Sequence, residues 1–456
     1  MDRNPILNTN RRFSVKPLLL LLLLFVIPAC AGHQANSSAA QEKWLALNRE
    51  FIALHTKGSY DQALTAALQG VALAQEFMPR DNADLATSLN NLGVTYAAMG
   101  KFEEARDPLE RALTMREKVL GPNHMEVATT LSNLGELYVD MNLPSDAEDA
   151  FIRALEIREA ERGSENADLA ETLNNLGELY LRRGLLDQGD TLLRRALAIR
   201  ENKLGPGHPQ VARTLDNLAG IEQARKNYPQ AQKLLERSLH IKEAALGPDH
   251  PWLAVTLSSL AEVLMAQGMI ADAEPMARRA VNIGEAAYGS DGVRMALPLA
   301  TLGNLMRSQG RFDEAEEMLT RALHLQEQAL PADHLDIAVS LGNLASVHYA
   351  QGRFAEARSD YERALVISEA GLGQKHGDVA QLLHNLGVVN RKLGDLDQAG
   401  TLLMQALSIR EALFGPSSPA VADTLEALAF TMKDAGDTAS AAAYLERAKA
   451  IRGQKK

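Results

Sequence analysis

The chain has 456 residues, more than one ordinary hydrophobic core holds, so several domains or a repeat array are expected. Apolar residues at 46% and charged residues at 23% exclude a disordered chain, and aromatics at 5% beside abundant Ala and Leu favour helix over strand. A formal charge of −11 without a basic stripe excludes a binder of nucleic-acid backbones, and a single cysteine, Cys30, excludes an internal disulfide and a cysteine metal cage.

The first element in chain order is an address. A basic stretch ends at Lys16, an unbroken apolar run follows from Leu18 to Ile27, and the segment closes on Pro28, Ala29 and Cys30. Ten apolar residues are too few for a membrane-spanning helix, which needs about 20, and they fit the core of an export signal. The ending "IPAC" resembles the lipobox of bacterial lipoprotein signals, departing from it at Pro28, where a small residue is usual. That resemblance implies a signal peptide over 1–29 and a lipidated Cys30 as the first mature residue. Ala31 in the next place implies sorting to the outer membrane, facing the periplasm. A soluble periplasmic or secreted protein is the alternative. Residues 30–43 then read as the lipidated cysteine and a short polar tether.

From about Trp44 the chain is periodic. Ala86 recurs every 42 residues as far as Ala422, and Leu89 and Leu92 recur with it to Leu425 and Leu428, without insertion or loss. Units are expected to start near 44, 86, 128, 170, 212, 254, 296, 338, 380 and 422. Within one unit, Leu89, Leu92, Gly93 and Tyr96 mark one face of a helix, and Ala105, Leu109 and Ala112 one face of a second. Gly100 and Gly121 suit the left-handed turns that end these helices. The place of Gly93 is always Gly or Ala, which lets the two helices approach closely. Such pairs cannot bury their apolar faces alone, so they stack. Pro298, where the chain also lacks its usual Gly-Pro-x-His, predicts a first helix that starts late or bends.

"NLGVTYAAMGKFEEA" and "GRFDEAEEMLTRAL" resemble the tetratricopeptide signature, and the extra "LGPNH" or "LGPGH" resembles the 42-residue repeats of kinesin light chains. The resemblance implies an all-α fold over residues 44–456, a right-handed superhelical solenoid of about ten helix-turn-helix repeats. It also implies a protein-binding surface, and it says little about which partner is bound.

No constellation for catalysis stands out. His124, His208, His250, His334 and His376 occupy one equivalent place in five units, too far apart to converge on a metal, so a structural role at the helix start is expected. There is no nucleophile–base pair and no phosphate loop, so neither an enzyme nor a cofactor is expected.

The positions pointing away from the buried stripe of the first helix are those of Thr87, Asn91, Val94 and Ala98. In tetratricopeptide arrays the first helices line the concave groove, so the resemblance places these residues towards a ligand. The place of Asn91 holds Asn133, Asn175, Asn217, Asn343 and Asn385 in other units, and the place of Val94 holds Glu136, Glu178 and Glu262. A row of amides suits an extended peptide backbone, or it hydrogen-bonds neighbouring helices instead. The function expected is a membrane-tethered scaffold or adaptor for an unidentified protein or peptide, the membrane being engaged only through the lipid. The alternative is a sensory module whose shape responds to a ligand.

Overall fold

Each 42-residue unit of sequence becomes one antiparallel helix pair. The computed structural model describes residues 36–57, 59–77, 82–162 and 166–453, which hold twenty α-helices and no strand. They fall into two compact units, one ending at Pro248 and one beginning at Asp249. The first contains α1 (Asn36–Thr56), α2 (Tyr60–Phe77), α3 (Ala83–Ala98), α4 (Phe102–Leu120), α5 (Met125–Asp140), α6 (Pro144–Arg162), α7 (Ala167–Arg182), α8 (Leu186–Leu204), α9 (Pro209–Ala224) and α10 (Tyr228–Leu246). The second contains α11 (Trp252–Ala266), α12 (Ile270–Tyr288), α13 (Ala296–Ser308), α14 (Phe312–Ala329), α15 (Leu335–Ala350), α16 (Phe354–Leu372), α17 (Gly377–Leu393), α18 (Leu396–Phe414), α19 (Pro419–Asp434) and α20 (Thr438–Gly453). Both are helical solenoids in which a hairpin packs on the next.

The periodic residues build the hairpin as their spacing demands. Leu92 and Tyr96 of α3 pack on Phe51 and Ala63 of the preceding pair, while Val94 and Ala97 join Ala105, Leu109 and Leu134. A Cβ on Gly93 would lie 2.5 Å from Leu109 Cγ and 2.9 Å from the carbonyl of Ala105, so the close crossing of α3 and α4 depends on its absence. Gly100, at φ +75°, turns the chain between them.

The five periodic histidines cap first helices. Nδ1 of His124, His208, His250, His334 and His376 accepts the backbone N–H two residues ahead at 3.1–3.2 Å. Asn82 and Asn166 hold the same place and accept from Leu85 N–H and Leu169 N–H at 2.6 and 2.7 Å, and Ser418 accepts from Val421 N–H at 3.4 Å. At Gly292 no side chain is available. There a 3₁₀ turn (Val293–Met295) precedes α13, which starts at Ala296 with Pro298 in its first turn. The late start expected from Pro298 is what the chain adopts. Pro108 and Pro275 lie inside α4 and α12, which run on through them.

One boundary differs from what the sequence leads one to expect. The polar tether does not reach residue 43, because α1 begins at Asn36. Ala40 and Trp44 are buried against α2 and α3, Trp44 Nε1 donates to Ser88 Oγ at 2.8 Å, and Gln41 donates to Asp84 at 3.1 Å. An apolar stripe and two polar anchors therefore recruit into the first hairpin a stretch whose composition alone reads as linker.

Candidate functional site

In a curved stack of hairpins, the layer whose neighbours approach each other is the inner one. Consecutive first helices touch along α1–α3–α5–α7–α9, along α11–α13–α15 and between α17 and α19. Second helices make no contact of that extent with one another among the described residues. The inner layer of each unit is thus made of first helices, and the side chains of that layer form the candidate interface.

Most of the asparagine row is spent within this layer. Asn91 donates to Asn48 and Asn133 to Asn90, both at 2.9 Å, each reaching the first helix of the preceding pair. Asn175 donates to Glu136, and Asn217 donates to Asn174 and Glu178 at 3.3 and 3.4 Å. Thr301, in the same place, donates to Glu262 at 3.1 Å. Asn91, Asn175 and Asn217 are only 1%, 1% and 6% exposed, Glu136 and Glu178 both 8%, and Val94 is fully buried. The expectation that these positions all point outward is therefore corrected. A first helix is flanked by a first helix on either side, so the residues opposite its core stripe meet neighbours before they meet solvent. The carboxylates of the N-terminal half are likewise internally balanced. Glu171 is paired with both Arg200 and Arg213, Asp216 holds Lys242 at 2.6 Å, and Glu178 faces Arg182 at 3.8 Å. Burial opposes the charge of Arg213, but Glu171, Glu136 and Glu178 outweigh it and hold its pKa above the ordinary value.

The second unit is arranged differently. Asn385 accepts from Gln381 at 2.9 Å and donates to the Tyr361 hydroxyl at 3.3 Å. Tyr361 stands where Leu109 stands in α4, and its hydroxyl also meets Ser346 at 2.8 Å. Burial, partly offset by these hydrogen bonds, pushes the phenol up to about 12, so it stays a neutral donor and acceptor. Asn343 is 7% exposed and its side chain makes no hydrogen bond among the described residues.

Among the described residues no three His, Cys, Asp or Glu side chains converge on a point that could hold a metal, and no helix is long and apolar enough to cross a membrane. Cys30 and the apolar run before it lie outside the described residues.

A second periodic device escaped the sequence reading. Arg116, Arg158, Arg200 and Arg410 are buried near the ends of second helices. Each donates to a carbonyl ten residues on (Glu126, Asp168, Gln210, Ala420) and to a threonine fourteen on (Thr130, Thr172, Thr214, Thr424). Arg116, Arg200 and Arg410 also reach back to Thr87, Glu171 and Gln381 on the first helix of their own pair. Each such guanidinium staples one hairpin to the next. The signal was present as a 42-residue recurrence of Arg with Thr, but an arginine on a helix reads by default as a solvated side chain.

The model of the tetratricopeptide repeat family matches eight segments of the chain between residues 52 and 454, among them 52–118, 168–244 and 378–454. No curated protein matches significantly. Among solved structures, BtubC (BKLC) from P. vanneervenii is similar at 26% identity, over 50% of this chain and 91% of that one, with a TM-score of 0.42. A putative kinesin light chain of Podosopora anserina with nearly identical repeats is similar at 24% identity, over 45% and 97% of the two chains, with a TM-score of 0.37. The apo form of RapI is similar at 15% identity, over 81% and 98%, with a TM-score of 0.47.

Proposed function

The chain belongs to the tetratricopeptide repeat family, and from that premise we propose that it is a non-enzymatic scaffold holding a segment of a partner protein along the inner faces of its first helices. The observation that supports this most directly is the inner layer itself. Hairpins repeated without insertion present a long series of polar side chains, and in the second unit some of these, Asn343 foremost, are not used to hold the stack together. Amides offer a donor and an acceptor at once, which matches the backbone of an extended chain. A photoreactive residue placed at Asn343 should crosslink the partner in native envelopes. One placed at Val366, 67% exposed on α16, should not. Crosslinks from Val366 alone would move the interface to the second helices and overturn this reading.

The scaffold is further proposed to be anchored in the bacterial envelope, at the outer membrane, by lipid on Cys30. Several acyl chains, each methylene worth about 0.8 kcal/mol on burial, hold a protein where one chain would not. Cys30→Ser should abolish labelling by a fatty-acid analogue and release the protein from membranes. Unchanged labelling and fractionation would remove the anchor from the proposal.

A further inference from the structure

In both units, a carboxylate early in a second helix is held by polar side chains of the next pair. Glu148 on α6 accepts from the Tyr180 hydroxyl at 2.8 Å and pairs with Arg183. Glu274 on α12 accepts from Gln309 at 2.9 Å and faces Arg311 at 3.8 Å. Glu316 on α14 accepts from Gln351 at 2.9 Å and from Arg353 at 2.7 Å. Its remaining partner is unlike the others. His348 stands where Tyr180 stands in α7, in the last turn of α15, and is 6% exposed. Its Nε2 lies 3.4 Å from Glu316, and its Nδ1 lies 2.8 Å from Asp360 on α16.

Two carboxylates thus face a ring that has one N–H when neutral and two when protonated. The imidazolium donates to both. The neutral ring keeps its proton on Nδ1, where the acceptor is nearer, and turns the Nε2 lone pair on Glu316. Deprotonation therefore spares the bond inside the hairpin, to Asp360, and replaces the bond across the seam, to Glu316, by a repulsion. A tyrosine at this place does not switch. Burial and the hydrogen bond to Glu148 push the Tyr180 phenol up to about 12, so it stays protonated.

The surroundings favour the imidazolium. On α16, Asp360 holds the ring's proton and Glu356 feels its charge, while α14 supplies Glu316. The C-terminal end of α15 itself also favours a cation. Burial opposes the charge, as do Arg353 in the following turn and Arg307, the one charged side chain of α13. The carboxylates outweigh these and hold the pKa above its ordinary value. The bond across the seam is therefore complete below about pH 6.5 and is lost as pH rises through the raised value.

This seam has little else to hold it. Gln326 and Ser340 stand at the places of the arginine and threonine that staple other seams, and their buried polar atoms find no partner. Arg353 crosses the same seam to Glu316, but its side chain is 37% exposed, and exposed ion pairs contribute little. We propose that the α14–α15 seam is a proton-operated clasp, shut when the His348 imidazolium bridges Asp360 to Glu316 and loosened when Nε2 gives up its proton.

The test is hydrogen–deuterium exchange of the full chain at pH 6 and pH 8, each rate divided by that of an unstructured chain at the same pH. Carboxylates and arginines keep their charge between these values. His334, which caps the far end of α15 through Nδ1, acts with the opposite sign, because a proton there removes the cap. Normalised exchange in the C-terminal turns of α15 should be about fivefold faster at pH 8 than at pH 6, the worth of one net hydrogen bond, while α9, with Glu222 at the place of His348, changes little. His348→Tyr installs the residue that Tyr96, Tyr138 and Tyr180 hold at this place and should bring the ratio to one. Glu316→Gln should do the same, since an amide meets the ring in either state, and it carries the test alone if His348→Tyr does not fold. The same ratio in wild type and His348→Tyr, an equal change in α9, or slower exchange of α15 at pH 8 overturns the clasp. A ratio that survives Glu316→Gln places the effect inside the hairpin and overturns it as well.

Discussion

His384 is 4% exposed on α17, its Nδ1 has no partner, and burial together with the nearby Arg410 guanidinium pushes its pKa down to about 3. The imidazole is therefore neutral in the fold across the whole physiological range. In the unfolded chain it takes a proton near pH 6.5. Acid thus favours the unfolded state: this residue's contribution is complete above pH 6.5 and is lost as pH falls from there towards 3. Because the folded form stays neutral at pH 5, the loss there is about 2 kcal/mol, set only by the unfolded pKa. His348 works in the opposite sense. Its hydrogen bond to Asp360 at 2.8 Å raises its pKa, so its contribution is present in acid and lost as pH rises through the raised value. Urea titrations of the wild type and His384→Leu at pH 7 and pH 5 separate the two. The wild type should lose about 2 kcal/mol more than the variant on acidification, and equal losses would show that His384 finds a proton-accommodating site in the fold.

Between helices, the recurring glycine sets how closely a pair can cross, and its partner decides what a methyl group would cost. A Cβ on Gly135 would lie 2.5 Å from the ring of Phe151, where the other units mostly carry leucine. A Cβ on Gly93 would meet its facing Leu109 at 2.5 Å too, but Ala219 opposite Leu235, both fully buried, shows that a pair with a facing leucine can take up Ala. Gly135→Ala is expected to destabilise by about 1–3 kcal/mol, and adding Phe151→Leu should recover much of that loss, as a double-mutant cycle by denaturant titration would report. Additive losses would mean that backbone, not the ring, resists the methyl. This pairing was legible in the sequence, because Gly93 and Ala105 recur in a strict period and their contact lies within one hairpin. The histidine caps were legible for the same reason. The asparagine row was legible as a row, with the ligand-facing and the helix-bridging readings both open. Whether Asn175 meets a ligand or Glu136 depends on how near the next first helix lies, and a helical wheel of one element does not hold that distance. The arginine staples were hidden similarly, each bond spanning two hairpins.

Over the length of a solenoid, stability is close to a sum of hairpin terms and seam terms, so a weak seam opens without the rest. The staple is absent from three successive seams of the second unit. Gly284, Gln326 and Ser368 replace the arginine, and Pro298, Ser340 and Leu382 replace its threonine. At the middle seam the loss is not compensated: Gln326 is fully buried with both amide atoms unsatisfied, and Ser340 Oγ has no partner either. Hydrogen bonds to a charged group are worth roughly 1.5–3 kcal/mol, and unsatisfied buried polar atoms subtract from what remains. Amide protons of α15 should therefore exchange at least about tenfold faster than those of α9, whose seam with α8 is held by Arg200 through Gln210 and Thr214. Hydrogen–deuterium exchange followed by mass spectrometry measures both helices in one experiment. Installing the missing pair by Gln326→Arg with Ser340→Thr, where the carbonyl of Asp336 stands ten residues on, should slow α15 and leave α9 unchanged. Protection of α15 equal to that of α9 in the wild type would mean that apolar packing alone holds the seams, and that the arginines set the register of the stack rather than its strength.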